Sequence, residues 1–163
     1  MNRIPSLLRH AGRRRALASL ASLALGLVCA HAAAADQVKL LAARPFRPVV
    51  TAMTAVFERR TGHKLVVVDD TGGALAERIR AGEDFDLAVL PQDLLETLGK
   101  EGEVSDGSII ALARGPGERQ GATVYAGAVS TSASNSQAAL SLLILLASEE
   151  TQAVLKSNGL SAP

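Results

Sequence analysis

At 163 residues, with 17 basic against 16 acidic side chains and a formal net charge of +1, this chain is sized for one compact domain and has no excess of basic charge for a polyanion. Aromatic residues make up 2% and are not interleaved with basic ones, which argues against nucleic acid as a partner. A single cysteine leaves no pair for an internal disulfide.

The first 35 residues read as a targeting segment. Arg3, Arg9, Arg13, Arg14 and Arg15 form a basic start, residues 16–28 an apolar stretch too short to span a bilayer, and Ala33, Ala34 and Ala35 a small-residue cleavage site. The mature chain then begins at Asp36 in the periplasm. The arginine triplet also resembles a twin-arginine signal, but Ala18 stands where such signals favour a large apolar residue, so Sec export is the plainer reading. Lipoprotein cleavage before Cys29 is an alternative, with Val28 where a small residue is wanted. Removing the leader takes five of the 17 basic residues and none of the 16 acids, leaving twelve against sixteen and a net of minus four. It also takes the only cysteine, so the mature chain has no thiol chemistry.

In the mature chain, residues 38–43 are a short apolar run that predicts a first buried strand. Val49, Val50, Met53, Val56 and Phe57 recur at helical spacing, with Pro48 in the first turn, Arg59 and Arg60 in the last and Gly62 as a left-handed stop, which predicts a helix over Arg47–Thr61. Residues 64–75, "KLVVVDDTGGAL", then give a strand, a glycine turn and a helix start, and the apolar run 65–68 reads as a strand covered on both faces. A strand, a helix and a second strand with short joints make a right-handed crossover with a parallel pair. The amides of Thr71, Gly72 and Gly73 point out of a helix N-terminus, an environment that suits an anion, although glycine turns before helices more often only reverse the chain.

A second helix over residues 73–81 places Leu75 and Ile79 inward, and residues 85–90 predict a third strand stopped by Pro91, which opens a helix through Leu98. Residues 108–113 are a further strand candidate. Residues 114–121, "RGPGERQG", read as a surface connection, and residues 122–130 as the last strand. Two helices close the chain: residues 136–147, apolar nearly all round and hence buried, and one capped by Ser148 with Glu149 and Glu150 in its first turn, ending at Asn158 and Gly159.

With these elements laid out, the mature chain resembles the molybdate-binding-protein branch of the periplasmic solute-binding proteins of ABC importers. The resemblance is carried by "VFERRTGHKLVVV", "TGGALAERIRAGEDFDLAVLP" and "TVYAGAVSTSASNSQAALSLLILLASEETQAVLKSNG". It implies a three-layer α/β/α sandwich with a mostly parallel central sheet, one lobe of a type II periplasmic binding protein. Such proteins have two lobes with the oxyanion buried between them; here residues 114–121 stand where a second lobe, on the order of a hundred residues, would be inserted, so residues 36–163 form a single lobe. The implied ligand is a small oxyanion such as molybdate, tungstate or sulfate, and the implied partner is an ABC permease in the membrane.

In the family a small hydroxyl residue after the first strand and another in the glycine turn donate to the oxyanion. Thr71 matches the second, while Ala42-Ala43-Arg44-Pro45-Phe46 lacks the first. Ala43, Arg44, Thr71, Gly72 and Gly73 are the implied contacts, with Arg44 read either as a ligand guanidinium or as a solvated loop residue. Asp69 and Asp70 stand beside the turn and repel an anion unless their side chains point away. An alternative is a truncated interaction module or remnant that self-associates through the face left bare by the missing lobe.

No catalytic constellation, cofactor motif or metal motif is visible. His63, the only histidine after the leader, reads as a surface loop residue, and no G-x-S-x-G occurs. Asp84 and Asp86 share a face by strand alternation, which permits an acid and base pair but more simply gives solvation or capping.

Overall fold

The computed structural model describes residues 37–116 and 121–163. The leader expected over residues 1–35, with Cys29 and the cleavage site, lies outside the described residues, as do residues 117–120. In chain order the elements are β1 (Gln37–Ala43), α1 (Arg47–Thr61), β2 (Lys64–Asp70), α2 (Gly72–Arg80), β3 (Leu87–Pro91), α3 (Gln92–Lys100), β4 (Ile110–Pro116), β5 (Ala122–Val129), α4 (Ser136–Ala147) and α5 (Glu149–Ser157). The strands form one five-stranded sheet in the order β2-β1-β3-β5-β4. β1 pairs in parallel with β2 and β3, and β5 runs antiparallel to both β3 and β4, so four strands point one way and β5 returns.

Helices cover both faces. α1, α4 and α5 pack together on one, with α4 against β5, β4 and β3; α2 and α3 pack on the other, against β1, β3 and β5. This is the expected three-layer sandwich. Its centre is β3, whose Leu87, Ala88, Val89 and Leu90 are fully buried. Tyr125 is also fully buried: its ring lies 5.6 Å from that of Phe46, and its hydroxyl donates to the Pro116 carbonyl at 2.7 Å, so the phenol's polar end is satisfied inside the core.

α1 has the bounds that its punctuation predicts. Pro48 sits in the first turn, and Gly62 takes φ +76° with its amide on the Glu58 carbonyl, a left-handed stop that a β-carbon would strain. α5 differs in its cap. Ser148 occupies the N-cap position, but its hydroxyl donates back to the Leu145 carbonyl at 2.6 Å, where Thr151 also donates at 2.7 Å, so it does not cap the helix.

Three further expectations are corrected by tertiary placement. β2 is an edge strand, and Val66 remains 39% exposed although the apolar run predicted cover on both faces. Residues 114–116 belong to β4, where Arg114 pairs with Val124 and Ser161; an edge strand needs backbone partners more than apolar side chains, and these residues have them. α4 buries Leu142, Leu143, Leu145 and Leu146 but leaves Ile144 58% exposed, since only one side of the helix meets the sheet. No single helix among the described residues is long and apolar enough to cross a membrane.

Candidate functional site

The site expected from sequence lies at the C-terminal ends of β1 and β2. Their parallel register sets Ala43 opposite Asp70, so the loop that leaves β1 and the turn that leaves β2 emerge side by side. Ala43 is fully buried. Arg44 follows in a short 3-10 turn with its side chain 65% exposed, and Pro45 and Phe46 anchor that turn, Phe46 in the core.

Thr71 is the N-cap of α2. Its backbone is extended, its hydroxyl oxygen accepts from the Ala74 amide at 3.2 Å, and its carbonyl accepts from Leu75 at 3.0 Å. Gly72 is buried against the next strand end: a β-carbon there would stand 2.6 Å from Pro91 Cδ, so the helix start can approach β3 only without a side chain. Gly73 faces open space.

The acidic neighbours do not point away. The Asp70 carboxylate folds over the turn, where its Oδ1 accepts from the Thr71 amide at 2.8 Å and from Arg44 Nη2 at 2.9 Å. Beside it Arg47 reaches Asp69 at 3.3 Å. Both arginines therefore meet carboxylates of β2. The cause is the register itself, which delivers an arginine and an aspartate from adjacent strand ends to one point.

Next to this turn, Gln92, Asp93, Glu96, Ala122, Thr123 and Val124 line a shallow groove of about 450 Å³ at the ends of β3 and β5. The large exposed apolar side chains among the described residues are Val66, Ile110, Leu140 and Ile144, none of which lies at these strand ends. Among the described residues, the apolar patch that a bared lobe face would expose is not formed there.

At the opposite end of the sheet, Asp84 and Asp86 do not share a face. β3 starts only at Leu87, Asp84 is exposed and Asp86 is 5% exposed. Asp86 Oδ2 accepts from the Lys39 amide at 2.8 Å and Oδ1 from the Asn135 amide at 2.9 Å, so it ties β1 and β3 to the start of α4. That is the capping role that the sequence allowed, with partners that appear only when the topology brings residues 39, 86 and 135 together. His63 is half-buried, and its Nδ1 has no partner among the described residues. Hydrogen bonds from Arg78 and then Lys39 hold the Glu83 carboxyl below the ordinary glutamate range. No group of three His, Cys, Asp or Glu that could hold a metal ion occurs among the described residues.

Residues 38–117 match the family described as bacterial extracellular solute-binding protein. No curated protein sequence matches the chain. Among solved structures, the substrate binding domain assigned to a molybdenum ABC transporter from Clostridium difficile superimposes with a TM-score of 0.69 at 12% identity, covering 78% of this chain and 99% of that one. The periplasmic molybdate-binding protein of Azotobacter vinelandii superimposes with a TM-score of 0.69 at 12% identity, covering 77% and 99%. At that identity the likeness is one of fold. The chain therefore has the fold of these periplasmic binding proteins, and its residues 38–117 match the bacterial extracellular solute-binding protein family.

Proposed function

We propose that this chain is the solute-binding component of an ABC importer, a single lobe that takes a small oxyanion at Ala43, Arg44, Thr71, Gly72 and Gly73 and meets its permease in the periplasm once residues 1–35 are removed. The observation that carries the reading is the register of β1 on β2, which brings the Arg44 guanidinium beside the amide-lined start of α2. Molybdate ranks first among ligands because both similar structures are named for molybdenum or molybdate; tungstate and sulfate share its charge and tetrahedral shape.

The single-lobe reading rests on the antiparallel pairing of β4 with β5, which turns between Pro116 and Ala122 where the family inserts a second lobe. It draws no support from the superpositions, which run along 99% of each matched chain. A lone lobe leaves the bound anion facing water, where each electrostatic contact is screened. Binding is accordingly weak, with a Kd of about 1 mM, or roughly 4 kcal/mol. Isothermal titration at low ionic strength with molybdate, tungstate and sulfate tests it. Saturable heat from at least one oxyanion is expected, and no heat from any of them at tens of millimolar contradicts the oxyanion reading.

A further inference from the structure

We propose that Asp70 is an internal stand-in for the oxyanion, and hence the residue that sets how strongly the site answers to free ligand; this rests on the oxyanion reading above. Two donors from different parts of the chain converge on one oxygen. Arg44 Nη2, from the loop after β1, lies 2.9 Å from Asp70 Oδ1, and the Thr71 amide, at the start of α2, donates to the same atom at 2.8 Å. A guanidinium and a helix-start amide around a single anionic oxygen is the arrangement that one oxygen of a tetrahedral oxyanion would accept. Asp69 meets Arg47 at 3.3 Å and so engages the neighbouring cation in the same way.

The consequence is competition inside one molecule. Asp70 is tethered a single residue from the amide that it occupies, so its effective concentration there is on the order of millimolar or higher. An incoming oxyanion cannot share the seat, because two anions on the same donors repel. Binding therefore requires the Asp70 carboxylate to swing out to solvent, which its 33% exposed side chain allows without opening the core. The same contact makes Asp70 a specificity determinant, because a neutral solute or a cation has no reason to displace it.

Equilibrium dialysis with molybdate, with sulfate in parallel, tests this on the unaltered protein, D70A, D70N, and R44A in the D70A background, with the Thr71 amide resonance as the local reporter. The expected result is at least tenfold tighter binding by D70A, a smaller gain by D70N, movement of the Thr71 resonance, and loss of the gain when Arg44 is also removed. D70N keeps the shape and an acceptor for Thr71, so it reports even if D70A folds poorly. Equal, measurable affinity in the unaltered protein and both Asp70 variants overturns the proposal while leaving the oxyanion reading intact, and so does a gain that persists without Arg44. No binding by any of the four proteins overturns both together.

Discussion

Asp86→Ala separates a structural carboxylate from a catalytic one. The side chain is 5% exposed and accepts two backbone amides, those of Lys39 and Asn135, at 2.8 and 2.9 Å. Removing it leaves both donors unpaired in a partly buried setting, at about 1–3 kcal/mol each. Taking the lower half of that range, because both amides are near the surface, the loss is roughly 3 kcal/mol. At about 2 cal/mol/K of unfolding entropy per residue, a domain of this size has roughly 0.27 kcal/mol/K, so Tm falls by about 10 °C. Asp86→Asn keeps one acceptor and turns an NH2 toward the other amide, so it falls between, at about 1–2 kcal/mol. Asp84→Ala, at an exposed position, stays within about 0.5 kcal/mol. Urea unfolding with a common slope measures all three. A loss below about 1 kcal/mol for Asp86→Ala would refute the capping account.

Glycine positions in the turn make opposite predictions. Gly72→Ala drives a β-carbon against Pro91 and is expected to destabilise by about 1–3 kcal/mol, while Gly73→Ala, with open space around it, is neutral or stabilises by up to ~1 kcal/mol; thermal melts of the two variants check the contrast. Glu83 has a depressed folded pKa, so its stabilisation is full above the ordinary value of 4.5 and is lost as pH falls from there through the folded value. Glu83→Gln should lower stability at pH 7 by about 1 kcal/mol and flatten that acid limb, as urea unfolding at a series of pH values will read. On α4, Leu143→Ala is expected to cost about 2–5 kcal/mol and Ile144→Lys under about 0.5 kcal/mol, an asymmetry that chemical denaturation checks and that the apolar sequence of that helix does not suggest.

Much of the fold was legible because local chemistry and tertiary placement agree. Pro48 and Gly62 bound α1 whatever packs on it, and the runs at residues 38–43 and 87–90 are apolar because they lie in the buried interior of the sheet. The misreadings share one cause, which is that a run of side chains does not say how many neighbours it will have. Val66 looks like Val89 in sequence, yet one lies on the edge strand and the other at the centre. Arg114, Gly115 and Pro116 look like a loop but gain backbone partners from β5 and Ser161.

At the candidate site, sequence brought out the threonine and glycine turn and the two acids beside it. The contact of Arg44 with Asp70, 26 residues apart in the chain, needed the register of β1 on β2. Asp86 was legible as a capping residue but not in what it caps, since Asn135 is 49 residues away along the chain.

The most direct measurement is an amide-resolved NMR titration of the protein with molybdate at low ionic strength. The account predicts that Thr71, Gly72 and Gly73 shift together along one saturable curve, with the Arg44 side chain following. Contradiction would be a titration that leaves those amides unmoved, or one that instead shifts the amides of the groove lined by Gln92, Asp93 and Thr123.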